Sequence, residues 1–437
     1  MPLSPARVAA FEILLAVEAK DAFASELLHS SRYQKLSALD HGLATELAMG
    51  VFRWRSWLDD EIAKQSSTKL HRLDLEVLTA LRLAAYQLIF LQRVPQRAAV
   101  HESVELVKHA RKRSAVPFVN AVLRKLAGAA LKAPLVDGAS AQGLASSCAH
   151  PLWLVQRWVK EYGSEAAKQI CEYDQTIPGT ALHLPEQLRT KAKETNLKPG
   201  LVLASARRFD GNSQDVRTLV DSGASILDEG SQLVALLLGN GNNILDCCAA
   251  PGGKTRLLAE HNPSGSVIAS ELHPHRARLL RKLVSESNVH VVTADARALP
   301  TETQFDRILV DVPCSGTGTL ARNPEIKWKL VSDDLADLQN RQIDILRSAM
   351  KRLATGGRLI YSTCSLEREE NQVVVEAALA NQSECRLVGI RTRLAELCSV
   401  GELVWPDPDS LTCGPYLRTI PGLHPCDGFF AAMVERT

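Results

Sequence analysis

Apolar positions along the first 130 residues recur every three to four places. Val8, Phe11 and Leu15 fall on one helical face, as do Leu78, Leu81, Ala85 and Leu88, and again Val119, Val122 and Leu126. Asp74 stands where an N-cap would precede the second set. Gly and Pro are sparse until Gly128. The pattern predicts an all-helical bundle over 1–130. A run rich in Ala, Gly and Ser follows, and 131–149 is expected to be a linker. Residues 150–225 mix two helical stretches, Pro151 to Tyr162 and Glu165 to Tyr173, with polar segments and short strands, and are expected to form a small α+β segment that touches RNA.

From 226 to 437 the period alternates between strand and helix. Short apolar runs end at Asp246, Ser270, Val292, Val310 and Tyr361. Helical patterns separate them, among them a basic one through Arg276, Arg278 and Arg281 and a long one from Leu335 to Leu353, stopped by Gly356-Gly357. This alternation predicts a doubly wound, mostly parallel α/β sheet of the Rossmann-like kind. No internal repeat or long low-complexity tract interrupts it.

Composition narrows the class. A chain of 437 residues exceeds one ordinary core, and 46% apolar with 23% charged residues is a globular balance. No apolar stretch reaches a membrane span of about 18 residues, and the start lacks the features of a signal peptide. Ten cysteines without a C-x-x-C pair point to free thiols in a reducing cytoplasm and to no metal site. Net charge is only +2 but uneven: residues 1–145 hold 19 Lys and Arg against 14 Asp and Glu, the remainder 32 against 35. Residues 91–132 carry nine basic and two acidic side chains, including Arg111-Lys112-Arg113, the footprint of a polyanion.

Candidate chemistry sits at the predicted strand ends. Parallel strands of an open sheet bring their carboxyl ends to one edge, where ligands bind. Asp246-Cys247-Cys248-Ala249-Ala250-Pro251-Gly252-Gly253-Lys254-Thr255 is a strand end, a turn of small residues and a helix start. Such a turn lets backbone approach a nucleotide closely. It is not a P-loop, which would need Gly where Cys248 stands. Glu271 closes the second strand, 25 residues on, and can accept both ribose hydroxyls; Asp295 closes the third and can hold an adenine amino group. With no G-x-G-x-x-G to cradle phosphates, the three acids favour S-adenosyl-L-methionine over NAD. Two thiols arrive at the same edge, Cys314 in Asp311-Val312-Pro313-Cys314 and Cys364 in Ser362-Thr363-Cys364-Ser365. A thiol nucleophile beside a methyl donor suits methylation of carbon 5 of a pyrimidine. Methylation of an exocyclic amine would instead call for Asn or Asp followed by Pro-Pro-Tyr/Phe.

At these residues the chain resembles the RNA cytosine-C5 methyltransferases of the NOL1/NOP2/Sun family, from about residue 150 to the C-terminus. The likeness also takes in Ser315-Gly316-Thr317-Gly318, Asn323-Pro324-Glu325-Ile326-Lys327-Trp328 and His424-Pro425-Cys426-Asp427-Gly428-Phe429-Phe430. The first 130 residues resemble the NusB-type helical RNA-binding domain, most clearly in Val119-Asn120-Ala121-Val122-Leu123-Arg124-Lys125-Leu126. The resemblance implies a cytoplasmic, monomeric enzyme acting on 16S (small-subunit) rRNA, with ribosomal proteins as further partners. A tRNA cytosine-5 methyltransferase and a noncatalytic assembly factor are the alternatives. It makes Cys364 the nucleophile and Cys314 the thiol that releases product, with Asp311 near the target base and Lys254 beside the cofactor. It puts Cys248, Ala249, Ala250, Pro251, Gly252, Gly253, Lys254, Glu271, Asp295 and Asp311 around S-adenosyl-L-methionine. Arg111, Lys112, Arg113, Asn120, Arg124, Arg322 and Lys327 are the expected RNA contacts, and Arg322 and Lys327 candidates for the electropositive setting that a nucleophilic Cys364 needs. The chain departs from the family at Cys247, at Ala321 and at Leu182-His183-Leu184-Pro185.

Overall fold

A computed structural model describes residues 3–19, 22–28, 30–129, 131–189, 197–209, 214–380 and 382–437. The chain divides into two compact units, one of residues 1–177 with 320–329, the other of 178–319 with 330–437. The 150–225 segment is therefore split: helices Leu152–Tyr162 and Ser164–Asp174 join the first unit, and its strands, with helices Glu186–Arg189 and Gln214–Asp221, the second.

The first unit is helical. Helices Pro5–Ala19, Ala38–Gln65, Leu75–Phe90, Gln96–His109 and Val116–Gly128 enclose one apolar core, in which Phe11, Leu14, Leu47, Leu81, Val107 and Val122 are buried. The expected periodicities are those of the buried faces, except that Val8, Leu15 and Leu88 lie at the core margin and Leu78 is half-buried outside the core. Asp74 precedes Leu75 but makes no capping hydrogen bond; its carboxylate meets Lys112 Nζ at 3.1 Å instead. The expected linker is not wholly irregular. Ser140 accepts a hydrogen bond from Gly143 N and starts a helix over Ala141–Ser147, and helices Leu152–Tyr162 and Ser164–Asp174 follow.

The second unit opens with a small antiparallel sheet of β1 (Thr180–His183), β2 (Lys198–Pro199), β3 (Ala206–Phe209) and β4 (Ser225–Ile226), in the order β2-β3-β1-β4. A larger sheet has β5 (Asn243–Asp246), β6 (Ser266–Glu271), β7 (Val289–Thr293), β8 (Phe305–Asp311) and β9 (Leu353–Thr363) in parallel, ordered β7-β6-β5-β8-β9. An antiparallel edge of β13 (Phe430–Arg436), β12 (Tyr416–Arg418) and β11 (Thr412–Cys413) extends it beyond β9, and β10 (Cys385–Val388) also pairs with β13. Alternation along the strands feeds two cores. Ile244, Leu309 and Ile360 enter one with helices Glu229–Leu238 and Gly253–His261; Leu245, Ile308, Val310, Leu359 and Tyr361 enter the other with helices Asp334–Lys351 and Gln372–Leu379. Gly356-Gly357 does not stop the long helix, which ends at Lys351. The pair lies inside β9, where the register against β8 jumps from Phe305↔Leu353 to Arg307↔Arg358, and Gly356 takes φ +72 in the excursion.

Candidate active site

β5 lies between β6 and β8, where the strand order reverses, so the loop after Asp246 opens a crevice at the carboxyl edge. Gly252 turns it with φ +115, and a Cβ there would collide with the side chains of Val284 and Leu280. Thr255, in the first turn of the next helix, donates to Asp246 Oδ2 at 2.8 Å. Asp246 is buried, its Oδ1 has no hydrogen-bond partner among the described residues, and burial pushes its carboxyl up to about 7.

Two cavities line this edge. One, about 570 Å³, runs along Ser225–Leu227, Asp246, Cys248–Lys254 and Asp311. The other, about 480 Å³, is lined by Cys247, Cys248, Ala250, Glu271, Arg276, Asp295, Arg297, Asp311 and Arg341, among others. They share Cys248, Ala250 and Asp311, and their combined size suits a nucleoside with an amino-acid tail. All ten expected cofactor residues line one or both. Glu271 is buried and accepts from His273 N at 2.8 Å. Asp295 is held by Arg297, whose Nη2 lies 2.6 Å from Oδ2, and that hydrogen bond keeps its carboxyl below the usual range.

β8 and β9 carry the thiols. Asp311 and Ser362 are opposite each other in the parallel register. Asp311 takes Lys254 Nζ on one oxygen at 2.8 Å and Ser362 Oγ on the other at 2.7 Å. Burial would lower Lys254, but the Asp311 carboxylate outweighs it and holds the ammonium above its ordinary value, with a further contribution from Cys364. Past the strand ends, Cys314 Sγ and Cys364 Sγ stand 3.4 Å apart as free thiols. The hydrogen bond with Cys364, reinforced by burial, pushes the Cys314 thiol well up.

Beneath the thiols is a polar cluster absent from the sequence expectations. Glu370 Oε1 accepts from Ser315 N at 2.8 Å and from Gln342 Nε2 at 2.9 Å; Oε2 accepts from Ser315 Oγ and, at 2.5 Å, from Ser365 Oγ. Asn371 accepts from Thr363 Oγ1 at 2.6 Å and donates to Ser365 O at 2.9 Å. The one trace of this in the sequence is the repeated Cys-Ser dipeptide, at 314–315 and 364–365.

One expected RNA contact is corrected. Lys327 is 1% exposed in the helical unit, where its Nζ donates to Arg53 O at 2.8 Å and Ala149 O at 2.9 Å. A side chain spent on buried carbonyls reaches no phosphate, and Lys254, not Lys327, is the cation whose charge couples to Cys364. Lys112 is half-buried and engaged by Asp74 and Glu76. Arg111, Arg113 and Arg124 are exposed; Asn120 and Arg322 are half-exposed.

The family of 16S rRNA methyltransferase RsmB/F matches residues 233–435, and the NusB family residues 4–128. A probable ribosomal RNA small subunit methyltransferase B of Bacillus subtilis strain 168 is 35% identical over 400 residues, 86% of this chain and 88% of the relative. The chain belongs to the RsmB/F methyltransferase family. Ribosomal RNA small subunit methyltransferase B of Vibrio cholerae serotype O1 is 31% identical over 92% of this chain and 91% of its own. The fold agrees with that family membership: the crystal structure of PH0851 superposes with TM-score 0.79 at 21% identity, covering 100% of this chain and 99% of that one. NSun6 from Pyrococcus horikoshii, solved with SFG, covers 65% of this chain and 98% of its own at TM-score 0.50 and 19% identity. This chain accordingly combines a Rossmann-like methyltransferase sheet with an N-terminal NusB domain. Among the described residues no helix is long and apolar enough to cross a membrane.

Proposed function

We propose that this chain methylates carbon 5 of a cytosine in 16S rRNA, with S-adenosyl-L-methionine as donor, through a covalent adduct on Cys364. The observation that carries the reading is the pair of free thiols 3.4 Å apart beside the Lys254–Asp311 pair. The substrate class comes from the names of the family and its relatives. The cofactor residues fit the donor. Glu271 and Asp295 would take the ribose and adenine, the unpartnered Oδ1 of Asp246 suits an ammonium at the cavity wall, and the fold is shared with a protein solved with the analogue SFG. When bound, S-adenosylmethionine supplies an electrophilic methyl group.

The protein must make carbon 5 nucleophilic. Cys364 gives up its thiol proton to solvent, the sulfur bonds carbon 6, and the carbon 5–carbon 6 π pair moves onto carbon 5. Lys254 and Asp311 carry a transferable proton and a fixed positive charge for the electron density pushed into the ring. The pair on carbon 5 would then accept the methyl group that the donor supplies, the donor leaving as its thioether. For product to leave, the proton on carbon 5 must go to a base, the π bond re-forms and the carbon–sulfur bond breaks. Cys314 is the base. Its thiol is held protonated by the hydrogen bond with Cys364, by burial and by the Glu370 and Asp311 carboxylates, and the first of these contributions is lost once that sulfur is a thioether. Cys314 can then lose its proton to solvent and accept the one from carbon 5. The target base must be unstacked to admit attack at carbon 6.

Cys364→Ala is expected to abolish methylation of 16S rRNA fragments with fold and cofactor binding intact. Cys314→Ala is expected to accumulate a covalent protein–RNA adduct on denaturing gels, and the double variant none. An adduct in Cys364→Ala would exchange the two roles; retention of more than a few per cent of single-turnover rate by Cys364→Ala would refute the nucleophile assignment.

A further inference from the structure

Glu370 is completely buried, and no ion pair holds it among the described residues. A buried carboxylate without a cation costs several kcal/mol unless its lone pairs are filled. Four donors fill them: Ser315 N and Gln342 Nε2 on one oxygen, the hydroxyls of Ser315 and Ser365 on the other. Two of those partners are the residues that directly follow the thiols. Asp311 and Ser362 end the ladder between β8 and β9, and Thr363, paired with Phe430, ends β9, so Cys314 and Cys364 lie just beyond the strands. Other hydrogen bonds also join these neighbouring loops, among them Gly318 N to Cys364 O at 2.9 Å and Leu366 N to Thr317 Oγ1 at 2.9 Å. A neutral amide would offer one oxygen where the carboxylate offers two.

From this geometry we infer that Glu370 is a positioning residue that sets the distance between the two thiols and so governs release of the methylated base. The inference rests on the cysteine-adduct reading above. Attack on carbon 6 needs Cys364 alone. Release needs Cys314 at carbon 5 while Cys364 is still bonded to the adjacent carbon 6, so it depends on the spacing. Loosening the clamp should therefore slow the second step more than the first. A misplacement of about 1 Å can cost roughly 100-fold.

The test is single-turnover kinetics of the full-length protein with 16S rRNA fragments and S-adenosylmethionine, following adduct on denaturing gels and product by methyl incorporation into released RNA. Glu370→Gln, which retains both thiols, is expected to form adduct within about threefold of the unsubstituted rate and to release it roughly 10- to 100-fold more slowly. Ser315→Ala and Ser365→Ala each delete one hydroxyl of the clamp and should accumulate adduct to a smaller degree; they carry the test if Glu370→Gln does not fold. A merely structural role would lower adduct formation and release by the same factor, and that result, or unchanged release in all three variants, overturns the inference. If Cys314→Ala traps adduct while the clamp variants do not, Glu370 alone has been misassigned. If Cys314→Ala traps none, the adduct reading fails and this inference with it.

Discussion

At the residue scale, the loop after β5 starts from a carboxylate that is buried yet borders a cavity. Asp246 ends a strand whose Ile244 and Leu245 are buried, so its side chain is drawn in with them. Thr255 satisfies one oxygen, and burial raises the carboxyl from 3.8 to about 7. Between those values the folded protein binds more protons than the unfolded chain, so stability falls as pH rises from about 4 to about 7 and is level above. Asp246→Asn keeps the acceptor for Thr255 and removes that slope. Urea unfolding at pH 4 and pH 8 is expected to show the variant gaining on the parent by up to about 4 kcal/mol across the interval. Parallel pH profiles for the two proteins would refute the buried-acid account. A bound cationic group at Oδ1 should favour the ionised carboxylate and diminish the slope, a link between this residue and the ligand cavity.

Among elements, the segment Leu320–Lys329 stands out because it belongs to the helical unit although it lies between strands of the other in sequence. Its fastenings are specific. Glu325 accepts from Ala24 N at 2.9 Å, the Trp328 indole donates to Phe52 O at 2.6 Å, and Lys327 spans Arg53 O and Ala149 O. Burial lowers the Lys327 ammonium to about 7, only partly opposed by Asp174. In the window from about 7 to 10.5 the unfolded chain binds the extra proton, so stability is expected to rise with pH there. Lys327→Met preserves bulk but strands the buried Ala149 carbonyl, while Arg53 O keeps Gln175 Nε2, a loss of about 1–3 kcal/mol in urea unfolding, and its stability should be flat over the same window. A variant as stable as the parent at pH 8 would mean that the segment is held by apolar contacts alone.

For the whole molecule, the helical unit carries most of the excess positive charge, but not every cation in it is available. Arg111, Arg113 and Arg124 are exposed, whereas Lys112 is neutralised by Asp74 and Glu76. Replacing the three arginines by Ala is therefore expected to weaken RNA binding and flatten its salt dependence, each lost phosphate contact removing roughly 0.7–0.9 from the slope of log K against log salt. Lys112→Ala should leave that slope unchanged. Filter binding between low and physiological salt separates the two cases. An unaltered slope in the arginine variant would show the basic run to be a solvated face.

How much of this was legible beforehand depended on the range of the interaction. Local periodicity located the helices of the bundle and the strands β5 to β9, because an element must bury its own apolar face, and alternation at Ile308, Leu309 and Val310 follows from a strand's period of two. Strand-end positions likewise brought Asp246, Glu271, Asp295, Cys314 and Cys364 to one edge, since parallel strands share a carboxyl end. The sequence could not say that Lys327 is buried or that Lys112 is occupied, because charge is written in the sequence and exposure is not. Nor could it link Glu370 to Ser315 across 55 positions. Only the folded chain decides which donors meet a buried carboxylate, since the need to fill its lone pairs is met by whatever residues the topology brings within 3 Å, however far apart they stand in the chain.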